Sequence, residues 1–151
     1  MNSSPNKNTI EVCFSPALFP LFAAEDSIVV VIDVLRATTS ICVAFQHGAE
    51  RIMPLATVEE SLSYKTKGYL VAAERNGEML AGFDLGNSPF SYMEPRIKGS
   101  RIALTTTNGT QAIKAAHKSH KVVIGSFVNL DILCNWLKNQ HKNIICLCAG
   151  W

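Results

Sequence analysis

Ile28-Val29-Val30-Val31-Ile32, followed at once by Asp33-Val34-Leu35-Arg36-Ala37-Thr38-Thr39-Ser40, is the stretch on which the fold turns. Five β-branched residues in a row, with no polar alternation, describe a strand buried on both faces, as in the middle of a parallel sheet. A hydroxyl-rich segment then opens a helix expected over Thr38 to His47, with Gly48 behind it as a C-cap. The same alternation runs along the chain. Strands are expected at Ile10 to Phe14, Arg51 to Pro54, Tyr69 to Ala73, Arg101 to Thr105, Val122 to Gly125 and Ile144 to Cys148. Between them, Val58 to Lys67, Asn108 to His117 and Leu130 to Asn139 each wind two or more helical turns, while Asn76 to Pro89, with three glycines and a proline, reads as a loop. Short apolar strands alternating with helices give an α/β fold, a mostly parallel sheet with helices on both faces.

Composition narrows the function. The 151 residues suit a single α/β domain, residues 1–151, or most of one. A net charge of +2 is too small for a dedicated nucleic-acid or membrane binder. Charged residues make up 17%, below the roughly 25% of ordinary soluble domains, so part of the surface is expected to meet a partner subunit, a second copy included, or further chain. The last residues, Cys148-Ala149-Gly150-Trp151, follow a buried-looking strand that normally precedes a covering helix. The natural protein is therefore expected to continue past Trp151, with an incomplete domain here. No apolar run approaches the roughly 18 residues of a membrane span. The start, MNSSPNKN, has no signal-peptide core, which reads as cytoplasmic. Five cysteines without a C-x-x-C pair are expected as reduced, interior thiols. Four histidines lack metal-ligand spacing and read as solvated, and no G-x-S-x-G elbow supports a Ser-His-Asp triad.

Ligands of open α/β sheets bind beyond the carboxyl ends of the strands, so the residues just after each apolar run are the candidates. Asp33, Glu74 with Arg75, Thr105 to Thr107, Ser126 and Gly150 all occupy such positions. At Asp33 to Ser40 a carboxylate, an arginine and a helix start suit an anion beside a cation: free N–H groups favour phosphate, Arg36 forks onto two of its oxygens, and Asp33 offers a ligand to Mg²⁺. The plainer alternative is an N-cap at Thr38 or Thr39 with an Asp33–Arg36 ion pair. Thr105-Thr106-Thr107-Asn108-Gly109-Thr110 repeats this logic without the lysine of a P-loop, which removes Walker-type hydrolysis; an ordinary polar cap with a turn glycine explains it equally. In Gly82-Phe83-Asp84-Leu85-Gly86-Asn87-Ser88-Pro89, Asn87 or Ser88 caps a following helix, or the loop folds over the strand ends and brings Asp84 to a metal.

Taken together, IDVLRATTS, AAER with GFDLGNSP, TTTNGT, GSFVN and the terminal CAG resemble the 2-phosphosulfolactate phosphatase family of coenzyme M biosynthesis, in unbroken order from about Asp33 to Gly150. The resemblance implies a Mg²⁺-dependent phosphatase acting on 2-phospho-3-sulfolactate, a small anionic phosphorylated substrate. It carries the family's polar positions onto Asp33, Arg36, Thr38, Thr39, Glu74, Arg75, Asp84, Asn87, Ser88, Thr107, Asn108, Gly109, Thr110 and Asn129. Members of the family extend well beyond the CAG segment, where this sequence stops. Asp33, Glu74 and Asp84 are the expected holders of Mg²⁺. Arg36 and the helix start at Asn108 to Thr110 are expected to bind the phosphate, with Arg75 receiving the sulfonate or carboxylate. Metal-bound water is preferred over a phospho-aspartate at Asp33, because Asp33-Val34-Leu35 lacks the second aspartate of D-x-D phosphatases. The rival expectation is a non-catalytic phosphate, anion or nucleotide-binding module.

Overall fold

The computed structural model describes residues 8–22 and 24–150. Its elements run β1 (Ile10–Cys13), β2 (Ile28–Ile32), α1 (Ala37–Gln46), β3 (Arg51–Pro54), α2 (Val58–Ser63), β4 (Leu70–Arg75), β5 (Glu78–Met79), β6 (Arg101–Thr105), α3 (Gly109–Ala115), β7 (Lys121–Gly125), α4 (Leu130–Lys138) and β8 (Ile144–Cys148). Short 3₁₀ turns at Pro16–Leu21, Lys65–Lys67, Pro89–Met93, Pro95–Ile97 and Phe127–Asn129 complete the path. Each of the expected strands is present within a residue or two. The parallel α/β architecture holds, with its strands shared between two sheets.

The first sheet has the order β1-β8-β2-β7, parallel throughout; the second has the order β3-β6-β4-β5, parallel except for β5. Helix α1 carries the chain from β2 in the first sheet to β3 in the second, and α3 carries it back from β6 to β7. The all-apolar strands explain why the layers form where they do. Val29, Val31, Ile145 and Leu147, on one face of the first sheet, are buried with Phe19 and with Ala112 of α3. Ile41 and Ala44 of α1 are buried against Ala72, Ile102 and Leu104 of the second sheet. On that sheet's other face Val71, Ala73 and Ala103 pack with Leu55, Phe83 and Val58 of α2. The two connecting helices thus fill the space between the sheets.

Two elements depart from expectation for local reasons, and the cysteines depart as well. Strand β4 runs on through Glu74 and Arg75 because Asn76 (φ 53°) and Gly77 (φ 81°) make a tight reversal into β5, pairing Glu74 with Met79 and Arg75 with Glu78. An Asn-Gly pair is the standard residue choice for a turn with two positive φ angles. The helix expected to Lys67 stops at Ser63. There the Ser63 hydroxyl donates to the Glu60 carbonyl at 2.7 Å and the Thr66 hydroxyl to the Ser63 carbonyl at 3.0 Å, so side chains take carbonyls that helix propagation needs. The cysteines are free, but only Cys13 is buried; Cys42, Cys146 and Cys148 are half-buried and Cys134 is exposed, so interior burial was right for one thiol.

The second face of the first sheet is covered unevenly. Val12, Cys146, Val30 and Val123 share it by register. Helix α4 lies over the β2–β7 half, with none of its own residues buried, across a groove of about 160 Å³ lined by Val30, Cys146 and Leu133. On the β1 side Ile10 is 71% and Val12 48% exposed. Among the described residues, no helix is long and apolar enough to cross a membrane.

Gly125, at the end of β7, is where α4 meets this face: a Cβ there would lie 2.6 Å from Val30 Cγ1 and 3.4 Å from Leu133 Cδ2. Gly125→Ala should therefore lower the unfolding free energy by about 1–3 kcal/mol through overpacking. Urea denaturation measures this, and an unchanged midpoint would contradict the close β2–β7–α4 contact.

Candidate active site

The carboxyl ends of both sheets meet at an open cleft of about 460 Å³, lined by Asp33 and Arg36 after β2, Glu74 at the end of β4, the Asn76-Gly77 turn, Asn87, Thr107 and Asn108 after β6, and Gly150 after β8. Two sheets running toward one opening convert separate strand ends into one cluster, as the general rule for such sheets requires.

Asp33 is fixed by its own main chain. Its N–H donates to Thr38 Oγ1 at 3.0 Å and its carbonyl accepts the Thr38 N–H at 3.0 Å, while the Thr39 hydroxyl donates to the Val34 carbonyl at 2.7 Å. The peptide between Leu35 and Arg36 is cis. Thr38, fully buried, and Thr39 thus shape the loop below the carboxylate and do not line the cleft. Burial pushes the Asp33 carboxyl above its ordinary pKa. Hydrogen bonds from the Ala37 and Arg36 N–H groups oppose that rise, and the neighbouring Glu74 charge adds to it. The carboxylate therefore lies beside the start of α1, whose N–H groups were expected to receive phosphate.

Glu74 is 7% exposed and held by three donors. Its Oε1 accepts the Gly77 N–H at 2.6 Å and the Thr107 hydroxyl at 3.4 Å, and its Oε2 accepts the Thr107 N–H at 3.5 Å. Arg36 reaches across the cleft, Nη2 donating to the Gly77 carbonyl at 2.8 Å, so the β4–β5 turn is tied to both charged residues. No Asp33–Arg36 ion pair is present among the described residues, whose two ion pairs lie elsewhere.

Gly109 opens α3 directly against this cluster. A Cβ there would collide with the Ala37 Cβ and come within 2.9 Å of Asp33 Oδ2, so only glycine lets the starts of α1 and α3 approach so closely. Thr110 does not face the cleft: its N–H donates to Thr106 Oγ1 and its Oγ1 accepts the Thr106 N–H, each at 3.1 Å, closing a buried reciprocal cap.

Other candidates lie outside the cleft. Asp84 accepts the Val71 N–H at 2.9 Å and pairs with Lys65 at 3.2 Å. Burial raises its pKa, but these bonds outweigh that effect and leave it below the ordinary value. The expected three-carboxylate set is therefore not assembled: among the described residues no group of three His, Cys, Asp or Glu side chains is placed to hold a metal. Arg75, alternating with Glu74 along the strand, donates to the Glu74 carbonyl at 2.7 Å and to Thr105 Oγ1 at 3.3 Å. Ser88 precedes the 3₁₀ turn at Pro89 without a side-chain cap bond. Asn129 caps the turn after β7, accepting the Ser126 N–H at 2.9 Å, on a groove between α1 and α4. Conversely, Leu35, Asn76 and Gly77 join the lining without having been expected. The Asn-Gly pair was the signal for the last two, since it implies a hairpin that would fold Glu74 back over the strand end.

Mg²⁺ is commonly held by one or two carboxylates, its remaining positions going to water and phosphate oxygens. Asp33 and Glu74 fit that donor set: both line the cleft, and the like charge of Glu74 acts on Asp33.

Residues 13–151 match the family model described as 2-phosphosulpholactate phosphatase. A probable 2-phosphosulfolactate phosphatase of Thermotoga petrophila is 44% identical over 131 residues, 87% of this chain and 57% of its own. That of Carboxydothermus hydrogenoformans is 41% identical over 143 residues, 93% and 58%, and that of Caldanaerobacter subterraneus subsp. tengcongensis 38% over 126 residues, 81% and 52%. The chain spans a little over half the length of these curated relatives. With a family match over nearly its whole length, the chain belongs to the 2-phosphosulfolactate phosphatase family.

Proposed function

We propose that the cleft is the active site of a Mg²⁺-assisted phosphatase that hydrolyses 2-phospho-3-sulfolactate to sulfolactate and phosphate. The observation that carries the proposal is the meeting of Asp33 from one sheet with Glu74 from the other, beside Arg36, in one open cleft. A simple anion binder gains nothing from two carboxylates next to its ligand unless a cation intervenes. The names of the family's curated members point to the same substrate.

In this reading Asp33 and Glu74 hold the cation. When bound it neutralises phosphoryl oxygens and lowers the pKa of an attacking water. The chain's own groups do the rest. Arg36 offers the guanidinium that meets phosphate charge as it develops, at the cost of exchanging its bond to the Gly77 carbonyl for the ligand. Thr107 holds the Glu74 carboxylate in place through two donors, leaving the remaining lone pairs for the cation. Asn108 lines the cleft at the start of α3, where the positive end of the helix dipole favours negative charge. Thr38, Thr39, Gly109 and Thr110 act through the backbone, by fixing the two loops that present these groups.

The test is phosphate release from 2-phospho-3-sulfolactate with and without Mg²⁺. Asp33→Asn and Arg36→Ala should each lower kcat/KM by roughly 10²-fold; full activity in both variants would remove the assignment. Asp84→Asn should leave kcat within about twofold while lowering stability at neutral pH by about 1 kcal/mol through loss of the Lys65 pair and the weakened Val71 bond. A large fall in kcat with unchanged metal affinity and melting temperature would instead return Asp84 to the site.

The raised pKa of Asp33 gives a pH test in the metal-free protein. A carboxyl whose folded pKa exceeds its unfolded value of 3.8 contributes stability below 3.8, and this is lost as pH rises through the folded value. Asp33→Asn should therefore be at least as stable as wild type at pH 7, with the difference vanishing in acid. A variant less stable than wild type at pH 7 in the absence of metal would show that the charge supports the fold.

A further inference from the structure

Asn87 occupies the loop before the 3₁₀ turn at Pro89 with its main chain firmly held. Its carbonyl oxygen accepts the buried Ser40 hydroxyl at 2.8 Å, and the carbonyl of the preceding Gly86 accepts the Tyr92 phenol at 2.8 Å. Asn87 lines the same cleft as Asp33 and Glu74 and is 6% exposed. Its Oδ1 is buried without a hydrogen-bond partner. Ser119 Oγ, the other such atom among the described residues, does not line the cleft.

A buried amide oxygen with no donor bears its full desolvation penalty, and native interiors seldom leave one so. What completes it must be electropositive. Asp33 and Glu74, in the ionised form that holds a cation, are acceptors only. Arg36, the basic side chain lining the cleft, is engaged with the Gly77 carbonyl. A bound cation would satisfy all three oxygen groups together, and hard divalent cations accept Asn carbonyl oxygens alongside carboxylates.

We infer that Asn87 Oδ1 is a third protein oxygen of the divalent-cation site, beside Asp33 and Glu74. The inference rests on the cation-assisted reading above and extends it by assigning a neutral ligand. Two carboxylates already balance a 2+ ion. A neutral third oxygen adds coordination without a further negative charge that would repel an incoming phosphate ester.

Mn²⁺ is the probe, titrated by electron paramagnetic resonance into the metal-free chain with no substrate present. The wild type should bind it, and Asn87→Ala should weaken binding by about tenfold or more. The metal-free melting temperature of Asn87→Ala should not fall, because Oδ1 has no partner to lose. Asn87→Asp, which keeps an oxygen in place, should bind Mn²⁺ at least as tightly as wild type. Should the alanine variant fail to fold, the aspartate variant decides alone: weaker Mn²⁺ binding in it overturns the inference. Unchanged Mn²⁺ affinity in a folded Asn87→Ala overturns it while leaving the Asp33–Glu74 cation site standing, as does a rise in KM alone, which would assign Asn87 to the substrate. Absence of Mn²⁺ binding in the wild type removes both.

Discussion

The cleft depends on one close approach. Where α3 begins, Gly109 lies against Ala37 at the start of α1 and against the Asp33 carboxylate, with no room for a Cβ. α1 leaves the first sheet and α3 leaves the second, so this contact sets how near the two sheets' carboxyl ends come. Everything polar in the site follows from that distance. Asp33 belongs to one sheet and Glu74 to the other, yet the Glu74 charge acts on the Asp33 carboxyl. A larger residue at Gly109 would move two helix starts and, with them, both carboxylates.

The electrostatics of the cluster oppose stability and favour ligand binding. Burial and a like charge both raise the pKa of Asp33, so its ionised form is held at a cost to the folded chain. The surrounding hydrogen bonds show how the cost is sustained. The Gly77 N–H and two groups of Thr107 converge on Glu74, while Arg36 closes on Gly77 from the other side. Unlike Asp84, whose charge is met by Lys65, neither cleft carboxylate has an ion-pair partner among the described residues. A carboxyl perturbed in this way and placed in a cleft marks a functional site more often than a structural one.

The individual strands were legible because they are written in uninterrupted apolar runs such as Ile28 to Ile32, whose burial on both faces leaves no other assignment. Their distribution between two sheets was not, because pairing of β3 with β6 is decided by where α1 and α3 cross, and no local pattern records that. Asp33, Arg36, Glu74, Thr107 and Asn108 could be chosen by position after a strand. Asp84 could not be separated from them: its fate is set by Lys65, 19 residues away, and by a backbone N–H of β4. Thr38, Thr39 and Thr110 have the right chemistry for a ligand, but in these tight turns their hydroxyls bond their own loops first. The Asn76-Gly77 reversal was the opposite case, a clear turn signal followed by a strand of only two residues, too short to show any alternation.

The uneven covering of the first sheet bears on how rigid the site is. The face carrying Val29, Val31, Ile145 and Leu147 is closed by α3 and Phe19, and the second sheet is packed on both sides by α1 and α2. The opposite face of the first sheet, with Ile10 and Val12 exposed and α4 only partly seated, lies behind these layers. Asp33 and Glu74 are held through Thr38, Thr107, Gly77 and the inter-sheet helices, none of which draws on the open face. Positional precision at the cleft is thus set by the core between the sheets, where packing is closed, and is separable from whatever stabilises the outer face of β1 and β8.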